Sequence, residues 1–242
     1  MISRFAFVPA LLLASACASA SGAPENATAA HSGAGDGATA QRAGPGNVAT
    51  AGHYRLRGEH DTASELDLLP DGRFRFFLAA GALDLHAQGR WTSDGRTVVL
   101  NTEPRPTPAT FTPGPVTRTE DSPIVVLVNG PNGRGIAAID LKMGFADGRE
   151  FESYTQEYGW RYDQEGPPGV PRWVELSLAM YGLPPQRFPL DAAAGNMFTF
   201  TLVPNDLGVQ DFRDQALDVT PEGLVISTPA GTGTYAREPA GE

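Results

Sequence analysis

Ser64-Glu65-Leu66-Asp67-Leu68-Leu69-Pro70-Asp71-Gly72-Arg73-Phe74-Arg75-Phe76 is the stretch that decides the fold class. Apolar and charged residues alternate up to Leu68, Pro70-Asp71-Gly72 supplies a turn, and the alternation resumes at Arg73. A period of two is the signature of a strand with one dry and one wet face. Asp-Gly between two such runs marks a hairpin, because the turn that matches strand twist needs a positive φ.

The same grammar extends to both sides. Tyr54-Arg55-Leu56-Arg57 alternates ahead of it. Leu83-Asp84-Leu85-His86-Ala87, then Gly89-Arg90-Trp91, a second Asp94-Gly95 turn and Thr97-Val98-Val99-Leu100 follow it. Residues 53–102 therefore read as a five-strand antiparallel meander, with Trp91 on its dry side. From Pro104 to Pro115 the chain is rich in Pro and Thr, which predicts an extended connection rather than a ladder. Near the C-terminus Met197 to Val203 alternates again, a Pro221-Glu222-Gly223 turn separates Leu217-Asp218-Val219 from Leu224-Val225-Ile226, and Thr234 to Arg237 supplies a last strand. Neither 53–102 nor 192–238 closes its own edges, and joining the two buries both apolar faces. The expectation is an all-β chain: an antiparallel β-sandwich or partly open barrel built from 53–102 plus 192–238, with a second β-sandwich at 124–190. That second module is either inserted into a discontinuous domain or the start of a second consecutive one.

Residues 124–190 carry their own pattern. Ile124-Val125-Val126-Leu127-Val128 is continuously apolar, Gly133-Arg134-Gly135 is a turn, Ile136 to Phe145 a long strand, and Asp147-Gly148 a hairpin turn. Thr155 is followed four residues later by Gly159, and Val174-Glu175-Leu176-Ser177-Leu178 alternates strongly ahead of a final strand near Arg187 to Leu190. In that order these elements resemble the transthyretin-like, carboxypeptidase regulatory-type β-sandwich. The resemblance implies a scaffolding or binding module and brings no catalytic residue with it. Gln164 to Pro171 interrupts the pattern.

The N-terminus speaks to location. Arg4, the apolar Phe5 to Leu13 and the small residues Ala14 to Ala20 form the three parts of an export signal. The apolar run is far shorter than the ~20 residues that a membrane-spanning helix needs. Leu11 to Cys17 resembles a bacterial lipoprotein signal, in which the cysteine becomes the acylated first residue, and Cys17 is the chain's only cysteine, without a disulfide partner in the chain. Ordinary cleavage after Ala20 is the alternative. Residues 21–51 hold no aromatic residue and only one strongly apolar one, Val48, so they cannot offset the entropy of ordering. They read as a flexible linker with a reach of roughly 30 Å. The expected location is the cell envelope, as an outer-membrane lipoprotein facing the periplasm or the surface, or as a soluble periplasmic or secreted protein.

Chemistry-bearing residues are sparse. The net charge of -10 and scattered basic residues disfavour nucleic acid and anionic lipid surfaces. There is no G-x-S-x-G elbow, phosphate loop or C-x-x-C, and no cofactor or metal is expected. His53, Glu59, His60, Asp61 and His86 include zinc-ligand types, but at no spacing that selects for a metal. Glu65, Asp67 and Asp84 read as the wet face of a sheet partnered by Arg73, Arg75 or Arg90, or as paired carboxylates for glycoside hydrolysis. Tyr154, Tyr158, Trp160, Tyr162 and Trp173 gather around 155–173. Core packing accounts for such rings in one reading. In the other, Tyr158, Trp160, Tyr162 and Trp173 bind a ligand, since exposed rings stack on sugars or anchor protein partners. The functional expectation is a non-catalytic cell-envelope β protein with a binding or scaffolding role for a protein or glycan ligand. Carbohydrate binding and an envelope hydrolase using clustered carboxylates are the alternatives.

Overall fold

The alternating stretch around Asp71-Gly72 folds as two strands of a closed barrel. The computed structural model describes residues 49–58, 61–163, 168–228 and 231–239. The proposed signal with Cys17, most of the linker, Glu59 and His60, and part of the interruption at Gln164 to Pro171 lie outside them. The chain is all-β. It folds as two units, one holding Ala87–Glu103, Asp211 onward and the described residues up to Ala80, the other holding Gly81–His86 and Pro104–Gln210.

The barrel takes β1 (Gly52–Leu56), β2 (Thr62–Leu68), β3 (Arg73–Ala80), β4 (Leu83–Ser93) and β5 (Thr97–Thr102) from before the segment 104–210. It takes β14 (Gln215–Thr220), β15 (Gly223–Thr228) and β16 (Gly231–Arg237) from after it. β14 pairs with β5, and β16 closes the circle on β1 through Tyr54 opposite Arg237 and Leu56 opposite Tyr235. Closure removes free edges. Leu66, Leu68, Phe74, Phe76, Trp91, Leu100, Leu217 and Ile226 are buried inside. Arg55, Arg73 and Arg75, one position out of phase, are exposed. A charged exterior around an apolar interior is the reverse of a membrane-spanning barrel. Polar groups inside are matched. Trp91 Nε1–H donates to the Leu69 carbonyl at 2.9 Å. Ser64 Oγ–H donates to the Phe77 carbonyl at 2.7 Å and lies 2.7 Å from the Tyr235 hydroxyl, whose ionisation burial pushes above its ordinary value. Phe212 inserts edge-on against Phe74 and Phe76, with centroids 5.9 and 5.0 Å away.

The second unit is a sandwich of two four-stranded sheets. One runs β10 (Trp160–Arg161), β7 (Val125–Asn129), β13 (Met197–Val203), β6 (Thr110–Thr117). The other, the platform sheet, runs β12 (Leu183–Pro189), β11 (Pro171–Leu178), β8 (Asp140–Phe145), β9 (Glu150–Tyr154). Val126, Val128, Phe198 and Phe200 from the first meet Leu141, Met143, Val174 and Leu176 from the second in one core. Thr155 is fully buried and ties the crossover into β8: its hydroxyl donates to the Ile136 carbonyl at 2.7 Å and accepts the Ile139 N–H at 3.2 Å.

Four strands depart from the sequence reading. The Pro and Thr run contains β6, which pairs with β13 despite Pro113 and Pro115, because β6 is an edge strand and one of its sides needs no N–H. Met197 to Val203, grouped by sequence with the barrel segment 192–238, pairs with β6 and β7, and Phe198 and Phe200 fill the sandwich core. The long strand expected from Ile136 begins only at Asp140, after Ala138 turns the backbone to φ 62°. The strand expected at Arg187 to Leu190 starts earlier and includes Pro184 and Pro185, again on an edge.

Candidate functional site

Alternation along β11 sends Val174 and Leu176 into the core and Trp173, Glu175 and Ser177 to the outer face of the platform sheet. The pairing register builds rows on that face. Trp173 lies between Gly144 of β8 and Pro189 of β12, with Glu150 of β9 beyond Gly144. Glu175 lies between Lys142 and Arg187, with Glu152 beyond Lys142, and Tyr154 opposite Asp140 completes a third row.

Contacts across the rows fix these side chains. Arg187 places its guanidinium 3.7 Å from the Trp173 ring centroid and donates from Nε to Glu175 at 2.8 Å. Lys142 reaches Glu150 at 2.8 Å and Glu152 at 3.3 Å, and hydrogen bonding to these carboxylates, Glu150 foremost, raises the pKa of its ammonium. Gly144 is where the indole rests: a Cβ there would stand 2.1 Å from Trp173 Cε2. The result is a flat charged sheet face carrying one half-exposed indole, with Tyr154 (59% exposed) on the neighbouring edge. Such a face offers flat area and a ring on which a ligand could stack.

The sequence-predicted aromatic residues divide. Trp173 is on this outer face, and Tyr158, in the turn after β9, is 68% exposed. Trp160 is buried against Phe151 across the two sheets, with centroids 5.4 Å apart, and Tyr162 packs edge-on to it. Trp160 and Tyr162 therefore belong to the sandwich core and its margin, and the four rings do not form one recognition row. Sequence reasoning passed over Gly144, Lys142, Glu150, Glu152 and Arg187. The one local signal was the phase of Arg172-Trp173-Val174-Glu175-Leu176, which puts Trp173 opposite the buried residues.

The carboxylate and histidine candidates lie mainly on the barrel's outer face. Asp67 Oδ1 stands 2.6 Å from His53 Nδ1, whose N–H it can accept, and Glu65 takes Arg55 at 2.8 Å while standing 4.0 Å from His53 Nε2. The expected partners Arg73 and Arg90 bind Asp71 and Glu103 instead. Asp84 and His86 are exposed, on the part of β4 that is grouped with the second unit. Among the described residues no His, Cys, Asp and Glu group is placed to hold a metal ion. A groove of about 400 Å³ beside the start of β1 and the β14–β15 turn is lined by Tyr54, Arg57, Glu222 and Arg237. Arg237 there already donates to the Ala49 and Ala51 carbonyls. No protein family, characterised protein or solved structure matches this chain.

Proposed function

We propose that this chain is a non-catalytic cell-envelope protein that binds a protein partner through the outer face of the platform sheet. The observation that carries this reading is Trp173, which sits out of the core on a sheet face, positioned by Gly144 and Arg187. An aromatic residue with an adjacent Arg is the composition of an interface anchor. The order of β7, β8, the Asp147-Gly148 hairpin, Thr155 and β11 supports a transthyretin-like scaffold for this module. The export signal and Cys17 support tethering at the outer membrane.

A photo-reactive side chain at Ser177, on the same face, tests the surface in the native host. Adducts to a discrete protein are expected, falling at least about tenfold in the Trp173→Ala chain. No adducts, or adducts indifferent to that substitution, would sink the reading. Glycan binding is the second reading, favoured by the half-exposed indole. The two respond oppositely to Arg187→Ala: uncovering the ring strengthens sugar stacking on an array and weakens a protein contact that uses the guanidinium. The tether has its own measurement. Mass spectrometry of the mature N-terminus is expected to find diacylglycerol on Cys17, and an unmodified start at Ser21 overturns the anchor without touching the surface.

A further inference from the structure

We infer that the free edge of β9 accepts an added strand from a basic, extended peptide segment. Among the described residues the sandwich has four edge strands, and three are unsuited to addition. β10 is two residues long. β6 carries Pro113 and Pro115, and its Phe111 N–H is capped by the Gln186 side chain at 3.0 Å. On β12 the bond from Leu190 N–H to the Arg172 carbonyl sets the alternation, so Pro189 stands at a position facing outward, where it offers no donor. Pro184 and Pro185 occupy the register shift of the same strand.

β9 has none of these protections. Bonds from Phe145 N–H to the Arg149 carbonyl and from Thr155 N–H to the Ile139 carbonyl, both 2.9 Å, fix which residues face β8. By the antiparallel alternation Phe151 and Ser153 bond to Met143 and Leu141. Glu150, Glu152 and Tyr154 therefore turn their N–H and C=O groups away from the sheet. Among the described residues no other hydrogen bond reaches those groups. An extended peptide laid there gains ladder hydrogen bonds, as in β-strand addition.

The side chains choose the occupant. Glu150 and Glu152 share the single ammonium of Lys142, which leaves β9 with uncompensated negative charge. A second copy of this chain is disfavoured: antiparallel pairing centred on Glu152 sets the two Glu152 carboxylates opposite each other, and like charges across a ladder repel. A strand with Lys or Arg at alternate positions reverses that sign and lies beside Tyr154, whose ring covers its apolar stems.

The edge borders the Trp173 face, yet each can fail alone, because Trp173→Ala leaves the outward N–H and C=O groups of β9 in place and the added strand is read at those amides. The probe is a labelled peptide of about seven residues alternating lysine with valine, set against one alternating glutamate with valine. Binding of the lysine peptide alone is expected, with hydrogen-exchange protection at the Glu150, Glu152 and Tyr154 amides. Glu152→Pro removes an outward N–H that β8 does not use, so it should keep the wild-type unfolding midpoint and bind at least about tenfold more weakly. The double change Glu150→Lys with Glu152→Lys should switch preference to the glutamate peptide. Lack of binding, equal binding of both peptides, unchanged binding in Glu152→Pro, protection elsewhere, or a dimer dissolved by Glu152→Pro would each overturn the inference.

Discussion

Gly144 decides where the Trp173 indole can lie. The two are direct partners across β8 and β11, and the ring crosses the space a side chain at 144 would fill, with Cε2, Cζ2 and Nε1 between 2.1 and 2.4 Å from an added Cβ. Arg187 acts on the same ring, but a cation–π contact at a half-exposed site contributes only about 0.5–1 kcal/mol. Overpacking costs about 1–3 kcal/mol, so the glycine outweighs the arginine in placing the ring. Gly144→Ala should therefore lower stability by that amount and push the indole outward. Trp91 and Trp160 are buried, so a red shift of tryptophan emission reports Trp173. Unchanged emission together with unchanged stability would show that the ring does not rest on Gly144.

At the scale of the element, three hairpins share one turn chemistry. Asp71-Gly72-Arg73, Asp94-Gly95-Arg96 and Asp147-Gly148-Arg149 each put glycine at positive φ, from 80° to 88°. In each the aspartate accepts the N–H two residues on, at 3.1, 2.8 and 3.1 Å. Arg73 and Arg149 also donate from Nε at 2.7 Å. Asp94 also accepts the Thr97 N–H at 2.8 Å, and backbone donors (Arg73 at Asp71, Thr97 ahead of Arg96 at Asp94, Arg149 at Asp147) chiefly hold the carboxyls below the ordinary 3.8. A depressed carboxyl stabilises the fold fully above its unfolded value, and that contribution fades as pH falls through the folded value. The loss of stability caused by Asp94→Ala should thus be largest near neutrality and shrink below pH 3.8, as read from urea midpoints. Asn132→Ala is the uncharged control, since Asn132 Oδ1 accepts the Arg134 N–H at 3.0 Å, and its cost should not vary with pH. A constant cost for Asp94→Ala would remove the carboxylate from the account. Turns of this kind and the alternation around them were legible because their causes are local. What a strand pairs with was not. β13 alternates like a barrel strand, and only Phe198 and Phe200 meeting the other sheet place it. The partner of Asp67 is His53 because of the β1–β2 register, and Trp160 is buried because Phe151 lies across the sandwich. Neither neighbour is visible in a local window.

At the scale of the molecule, the barrel's order is that of an uninterrupted meander except between β5 and β14. Those two strands are antiparallel neighbours, with Leu100 opposite Gln215, so the chain leaves and re-enters the barrel at one place. That place is stitched within the barrel unit. Thr102 N–H donates to the Phe212 carbonyl at 3.0 Å, Phe212 N–H to Thr102 Oγ1 at 2.9 Å, and the Asn101 and Asp214 side chains and backbone add two more bonds of 3.0 Å. The cost of closing a loop grows only slowly with its length, so the intervening residues cost little equilibrium stability through chain entropy. They do delay the contacts between β5 and β14, since distant pairings form slowly. A chain in which 104–210 is replaced by a short Gly-Ser turn should accordingly form the eight-stranded barrel unaided. The expected signs are a single cooperative urea transition, blue-shifted emission from Trp91 as its one remaining tryptophan, and refolding faster than in the full chain. A chain that binds hydrophobic dye and loses its near-ultraviolet circular dichroism would instead show that the barrel core is completed by residues beyond its own strands.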